Sequence, residues 1–290
     1  MSWRTVVINS KAKLSYKNDY MIIRGENVNQ IHLSEINTVV INSTAVTITS
    51  YLIAELLNRK VKIIFCDNRR DPIGEVLPYY GCHNVSKRIN EQINWDEENA
   101  QAVWTRIIKE KILNQARLLE IEGFKTSEML KQYADELVTF DKTNREGHSA
   151  KVYFDSLFGV KFTRDAQINV NAALNYGYAI ILSQFNRDIA AQGYLTQLGI
   201  KHKNEFNPFN LSSDLMEPFR QLVDRIVYEN AKESFDPDLK LKLIDVLNHK
   251  VRIKGSNQYV SNAISIYDKS VFDALKKKDA SLIEFFEYEL

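Results

Sequence analysis

Prolines and glycines are scarce, 5 and 10 among 290 residues. That scarcity excludes collagen-like repeats and long low-complexity tracts, which need far more of both. Cysteine is scarcer still. Cys66 and Cys82 form no C-x-x-C pair, so a zinc ribbon or a thioredoxin-like site is out. Cys66 follows the apolar run Val61–Phe65 and reads as a buried thiol. A Cys66–Cys82 disulfide has little behind it, because nothing else points to secretion. No stretch reaches membrane-spanning length. The first residues, MSWRTVVINS, alternate like a strand and lack the apolar core of a signal peptide. The expectation is a reduced, cytoplasmic protein. Net charge is +1, so the surface as a whole is not basic, although a basic stripe balanced elsewhere stays possible. The motifs G-x-G-x-x-G, G-x-x-x-x-G-K-[ST], H-E-x-x-H and G-x-S-x-G are also missing. Dinucleotide binding, P-loop nucleotide hydrolysis, zincin chemistry and triad hydrolysis therefore lose support.

What is present is an ordinary folding chain. Apolar residues make up 44% and charged residues 26%, and 14 Phe with 14 Tyr can fill a sizeable core. The first part reads as β. Arg4–Asn9, Lys13–Lys17, Tyr20–Arg24, Gln30–Leu33 and Thr38–Ile41 are short runs rich in Val, Ile, Leu and Tyr, with turn signals at Lys17-Asn18-Asp19 and Gly25-Glu26-Asn27. Thr49 can cap a helix from Ser50 to Asn58, and Val61–Phe65 reads as an internal strand. Turns are expected at Asp67–Pro72 and at Pro78–Gly81.

From about Trp95 the period changes to that of a helix. Ala100–Glu122 places Val103, Ile107, Ile108, Ile112, Leu118 and Leu119 on one side, and Gly123 can end it. Further helices are expected at Ser127–Val138, Glu146–Leu157, Asn169–Phe185, Asp188–Leu198, Asp214–Asn230, Leu239–Leu247 and Asn257–Lys276. The expected fold class is α+β: a β-sheet domain over 1–80, a linker over 81–99 and a larger all-α domain over 100–290.

Three stretches carry side chains suited to chemistry. In LGIKHKNEFNPFNLSSDLMEPFR, His202 lies in a turn-rich segment, Ser212 or Ser213 can cap the next helix, and Asp214 and Glu217 then share a face. Carboxylates at a helix start are favoured by the dipole alone. With His202 they also make a mixed nitrogen–oxygen set suited to Mn²⁺, Mg²⁺ or Zn²⁺, and both readings stay open. In NREGHSAKVYFDSLF, Glu146 opens a helix, as a first-turn acid or as a site residue; Gly147 suggests close approach of another element or a ligand. In RDAQINVNAALNYGYAII, Asn171, Asn175 and Tyr178 recur at helical spacing on an apolar helix, and Gly177 permits tight packing. A structural hydrogen-bond network fits them as well as a site does. Basic clusters at Arg59–Lys62, Arg69-Arg70, Lys87-Arg88, Lys201–Lys203, Lys250–Lys254 and Lys276–Lys278 are mostly solvated faces. Lys201 and Lys203, flanking His202, suit a polyanionic substrate better than the rest.

Taken in order, EGHSAKVYF, NAALNYGYAIIL, LGIKH and DLMEPFR resemble the CRISPR-associated integrase family. WRTVVINSKAKLSYKN and IHLSEI resemble its version in type II systems, so the likeness covers the whole chain. One departure is Gln221, where the family often has Pro. The resemblance implies an N-terminal β domain that forms a homodimer and a helical catalytic domain. It implies Mg²⁺ or Mn²⁺ held by Glu146, His202 and Glu217, with Asp214 as a supporting acid. It further implies joining of protospacer DNA 3′-hydroxyls to a CRISPR repeat by transesterification, endonuclease activity, and a small companion subunit. Arg164, Lys201, Lys203, Arg220, Arg59, Arg69 and Arg70 are the candidates for DNA contact. Two other readings are a metal-dependent nuclease that cuts without joining and a non-catalytic DNA-binding scaffold.

Overall fold

A computed structural model of the chain describes residues 4–76, 83–230 and 235–287. The chain divides into two compact units, one through residue 85 together with Ala190–Gly193, the other made of the rest.

The N-terminal unit carries two four-stranded sheets among the described residues. In the first, β1 (Arg4–Ile8), β5 (Ile36–Ile41) and β7 (Lys62–Cys66) run parallel, and β8 (Pro72–Glu75) closes the edge antiparallel to β7. β5 is paired on both sides and buried at every position, which explains its unbroken Ile-Asn-Thr-Val-Val-Ile run. In the second, β2 (Ala12–Lys17), β3 (Tyr20–Arg24) and β4 (Val28–His32) form an antiparallel meander, and β6 (Val46–Ile48) joins β2 in parallel. The β2–β3 turn is Asn18-Asp19, both at positive φ, the two-residue geometry that matches strand twist. Thr49 caps α1 (Ser50–Asn58) by accepting the Leu52 N–H, and Leu52 and Leu56 enter a core with Leu14, Met21, Ile36 and Ile63. Cys66 is buried. The expected turn at Pro78–Gly81, and Cys82, lie outside the described residues. β6 and β8 had no counterpart in the expected strands, being too short to show alternation.

The C-terminal unit is built on α3 (Glu97–Ile121), whose first turn is capped by Asp96. Before it, α2 (Val85–Ile93) occupies part of the stretch read as linker. Packed around α3 are α4 (Ser127–Asp135), α5 (Arg145–Phe158), α8 (Arg220–Asn230) and α10 (Val260–Lys277). α6 (Asn169–Ala191), α7 (Asn210–Leu215) and α9 (Pro237–Asp245) complete the helices described. Three expectations change here. No helix spans 188–198: α6 ends near Ala191, Gly193 turns at φ +86°, and the Tyr194 N–H bonds back to the Ile189 carbonyl. The helix expected over 214–230 is two helices, because Pro218 has no N–H to continue the ladder and Glu217–Phe219 tightens into a 3-10 turn. Ser212 and Ser213 consequently sit inside α7, not at its cap. Finally, the helix expected from Asn257 starts at Val260, preceded by the hairpin β9 (Lys250–Ile253) and β10 (Ser256–Tyr259), whose turn Lys254-Gly255 holds both residues at positive φ.

The unit's core is aromatic where it matters for the site. Phe219, fully buried, meets Phe185, Tyr267 and Phe286 at centroid distances of 5.4, 5.3 and 4.6 Å. These contacts anchor the 3-10 turn that carries Glu217. Gly177 of α6 lies against α8 so closely that an added Cβ would overlap Val223, as the expectation of tight packing requires.

Candidate active site

Three elements bring acids and cations to one place beside α3. Lys111 interrupts the apolar face of α3 one turn after Ile107 and Ile108. Its Nζ lies 2.6 Å from Glu146 Oε1 on α5 and 2.6 Å from Glu217 Oε2 on the 3-10 turn. Two neighbours on α3 fix the same elements: Asn114 donates to the Pro218 carbonyl at 2.9 Å, and Gln115 accepts from Ser149 of α5 at 2.7 Å. Arg220 reaches the other oxygen of Glu217 at 3.0 Å. Burial alone would push the Glu217 carboxyl up, but Arg220 and Lys111 outweigh it and hold its pKa down at about 2. Glu217 is therefore an ionised carboxylate in a nearly closed environment.

Glu146 is set by the chain just before it. Asp141 accepts the N–H groups of Arg145 and Glu146 at 2.7 and 3.0 Å, capping α5 from outside. Phe140, Asp141 and Asn144 all adopt positive φ, a concentration of left-handed backbone in non-glycine residues that costs free energy and is held by its surroundings. Gly147 is approached closely, but by the Asn144 side chain, a local contact rather than another element or a ligand.

His202 is placed by Asp214. This carboxylate, fully buried near the end of α7, gathers the loop before it. Oδ2 accepts the N–H groups of Ile200 at 2.6 Å and Lys201 at 2.9 Å. Oδ1 accepts the His202 N–H at 3.2 Å and faces His202 Nδ1 at 2.5 Å. Gly199 makes the wrap possible, since a Cβ there would strike the His202 carbonyl and lie 2.8 Å from Asp214 Oδ2. The hydrogen bond to Asp214 raises the His202 pKa against burial, which lowers it; the Asp214 charge adds to the rise, and the charges of Glu217 and Glu146 add to it further. The imidazole packs edge-on to Trp104 of α3 at 5.9 Å, and the side chain is about half exposed. A cleft of about 990 Å³ opens beside it, with Trp95, Phe140, Lys203 and Phe206 in its wall.

A third set joins this centre to α6. Arg164 donates to Asn171 at 2.7 Å and to Asn175 at 2.8 Å and lies over the Tyr178 ring. Arg220 covers the same ring at 4.7 Å. The Tyr178 hydroxyl donates to Asp224 of α8, which also accepts from Tyr153 at 2.9 Å. Burial lifts the Asp224 carboxyl to about 6 even though both tyrosines and the nearby arginines pull it down.

A family model described as "CRISPR associated protein Cas1" matches residues 5–236. The chain belongs to the Cas1 family. It is 35% identical over 279 residues to "CRISPR-associated endonuclease Cas1" of Neisseria meningitidis serogroup C (strain 8013), covering 93% of this chain and 90% of that one. Its fold is shared with a "Casposase bound to integration product" at TM-score 0.77 and 18% identity, covering 97% of this chain and 93% of the other. It is also shared with a chain of a "Cas6-RT-Cas1--Cas2 complex" at TM-score 0.73 and 17% identity, where it covers 99% of this chain but only 36% of that longer one. An N-terminal strand-rich part followed by a mostly helical part is thus the Cas1 arrangement, as expected from the sequence.

For this Cas1 chain the expected site residues fall into groups. Glu146 and Glu217 share Lys111, while His202 is tied to Asp214, and among the described residues no three His, Cys, Asp or Glu side chains stand gathered around one metal position. Asp214 and Glu217 lie on different elements, because α7 ends at Leu215 and Glu217 opens the 3-10 turn that Pro218 enforces. Arg220 and Arg164 belong to the network around Tyr178. Lys201 points its ammonium at the Phe140 ring, 3.7 Å from the centroid. Arg59, Arg69 and Arg70 belong to the N-terminal unit. There Arg59 pairs with Asp19 and Glu55, and the Arg69 N–H donates to Asp67 Oδ1. Lys111, Asp224 and Tyr153 were missed. A lysine in register with Trp104, Ile108 and Gln115 on the buried stripe of α3 was the available signal.

Proposed function

We propose that this chain is a divalent-metal-dependent DNA endonuclease and integrase of CRISPR adaptation. The observation carrying the reading is the pair Glu146–Glu217, two acids on separate elements that share one cation, Lys111, in the same unit as a histidine already oriented by a carboxylate; a metal would have to draw His202 and the two acids together. The donor set fits Mg²⁺ or Mn²⁺: two hard anionic oxygens and a neutral ring nitrogen. His202 is prepared in the way metal-binding imidazoles usually are, with Nδ1 committed to Asp214 so that Nε2 faces outward. Bound there, the ion would polarise the scissile phosphate and lower the pKa of the attacking 3′-hydroxyl.

The chain's own groups supply the rest. Arg220 keeps Glu217 ionised and, one-quarter exposed, has donors left for a phosphate oxygen. Lys201, Lys203 and Arg164 provide positive charge around His202 and at the head of α6, where phosphate contacts would position a duplex without reading its bases. Transesterification conserves phosphodiester bonds, which agrees with the lack of a nucleotide-hydrolysis motif. The DNA partners are a protospacer duplex and a CRISPR repeat in the cytoplasm. The protein partners are a second copy, through the N-terminal unit, and a small companion subunit of the kind named in the Cas6-RT-Cas1--Cas2 complex. Arg59, Arg69 and Arg70 remain candidates for contact with that DNA, and the likeness of the N-terminal motifs supports a type II reading.

The test is an integration assay. Protein and companion subunit are incubated with a labelled short duplex and a supercoiled plasmid carrying a repeat, in Mg²⁺ or Mn²⁺, with EDTA and His202→Ala as controls. Label joined to the plasmid and lost in both controls is the expected result. Cutting without joining would make the chain a nuclease only. Joining that survives His202→Ala would move the site elsewhere, and no DNA chemistry under any condition would leave a scaffold.

A further inference from the structure

Lys111 holds the two oxygens that a metal would need. Its ammonium lies at the same 2.6 Å from Glu146 Oε1 and from Glu217 Oε2, while the other oxygen of Glu217 is already taken by Arg220. The side chain is only 11% exposed, and its helix neighbours Ile107, Ile108 and Ile112 are fully buried. An ammonium in such a place is tolerable only because it is paired on two sides. Both acids depend on it in turn. Glu217 is almost completely buried, and without Lys111 only Arg220 would balance it. A divalent ion binds carboxylate oxygen at about 2.1 Å. It cannot take these two oxygens while Nζ is paired with both, because the ammonium and the divalent ion together would set three positive charges on two carboxylates, with the Arg220 guanidinium beside them.

We infer that Lys111 is a resident cation that holds Glu146 and Glu217 in place before metal arrives and that a divalent ion must displace it, so this lysine sets the metal affinity of the site. The inference rests on the metal-binding reading above. Lys111 stays charged throughout; what changes is its partner. Four flexible methylenes let the ammonium swing off the carboxylates without moving α3. The lysine is a positioning residue. It keeps the elements α5 and Glu217–Phe219 together in the metal-free protein, at the cost of weaker metal binding.

The experiment titrates Mn²⁺ into the full chain at pH 8, followed by the loss of free-ion EPR signal. It compares the unaltered protein with Lys111→Met, Lys111→Gln and Glu217→Gln, each checked for fold by circular dichroism. The expected result is that both lysine variants bind Mn²⁺ at least tenfold more tightly, about 1.4 kcal/mol. They should also melt lower without metal and regain most of the difference at saturating Mn²⁺, while Glu217→Gln loses binding. Damage to the fold would weaken metal binding, so tightening cannot come from that source. Should the Met variant fail to fold, the Gln variant, which keeps an N–H donor for a carboxylate, carries the comparison. Equal or weaker affinity in the folded lysine variants, with binding still lost in Glu217→Gln, overturns the displacement and leaves the metal site standing. Absence of Mn²⁺ binding in the unaltered chain, or binding indifferent to Glu217→Gln, overturns both.

Discussion

Replacing Asp214 with Asn tests whether one buried carboxylate organises the histidine loop. Its four hydrogen bonds divide evenly, two backbone N–H groups on Oδ2, and one backbone N–H with the imidazole on Oδ1. Asparagine keeps one oxygen. Placed toward Ile200 and Lys201, that oxygen retains two bonds, and the new amide nitrogen then faces the His202 N–H, donor against donor. One partly buried N–H left without an acceptor costs about 1–3 kcal/mol, and loss of the charge-assisted bond to the ring adds about 1 kcal/mol. Asp214→Asn should therefore lower unfolding free energy by about 2–4 kcal/mol in urea titrations. It should act on function as well. Beside an amide donor, Nδ1 must become the acceptor, which moves the imidazole proton to Nε2 and removes the lone pair a metal would use. Outer partners of this type are worth about 10–100-fold in metal affinity. Mn²⁺ binding should weaken by that factor at temperatures where the variant is fully folded, and strand transfer should fall with it. A folded Asp214→Asn variant that binds Mn²⁺ as the unaltered chain does would refute the orienting role. A variant of unchanged stability would refute the hydrogen-bond accounting.

Glu217 and Asp224 predict opposite pH dependences. The Glu217 carboxyl is held below its ordinary value of 4.5, at about 2, so its stabilisation is complete above pH 4.5 and is lost as pH falls toward 2. Urea titrations at pH 5 and pH 2.5 should show a loss of about 2 kcal/mol from this group, absent in Glu217→Gln. The Asp224 carboxyl is raised from 3.8 to about 6, so its contribution is full below pH 4 and is lost as pH rises through 6. Asp224→Asn should gain on the unaltered chain by about 2–3 kcal/mol between pH 4 and pH 7.5, and an unchanged difference would mean that Asp224 is already ionised at low pH. Gly177→Ala drives a methyl into Val223 and should lower stability by about 1–3 kcal/mol, seen as a fall in melting temperature.

The parts of the fold that showed in the sequence are those where one physical signal dominates. Thr49, Asn18-Asp19 and the buried run of β5 each announce an element through capping, turn geometry or continuous hydrophobicity. The 25 residues of α3 do so through a long period of 3.6. The misreadings come from competing local terms. Lys250–Tyr259 has polar residues at both strand and helix spacings, and the decisive feature is the pair Lys254-Gly255 at positive φ. Residues 188–198 continue a helical pattern that the Gly193 turn overrides, with the Gln92 side chain of α2 then holding the Leu195 and Leu198 carbonyls at 2.8 and 2.9 Å. That bond joins residues about a hundred positions apart, and no local reading of the sequence contains it.

The same logic separates the legible part of the site from the rest. Acids and histidines catch the eye by type, and motif order groups them, so Glu146, His202, Asp214 and Glu217 can be named before any fold is known. Their counterions cannot. Lys111 looks like one more helical lysine until its register is compared with Trp104 and Ile108, and Arg220 reads as a mid-helix residue until the Glu217–Phe219 turn makes it the first residue of α8. Yet these two cations decide the state of the acids. Burial by itself pushes the Glu217 carboxyl up, toward the uncharged form, and Arg220 with Lys111 reverses that. Pro218 enforces the 3-10 turn, Phe219 locks it into the aromatic core, and Asn114 ties its carbonyl to α3. Those three contacts deliver Glu217 to Lys111 as an ionised group. The charge state of Glu217 therefore depends on a proline, a phenylalanine and an asparagine that no inventory of reactive side chains would select.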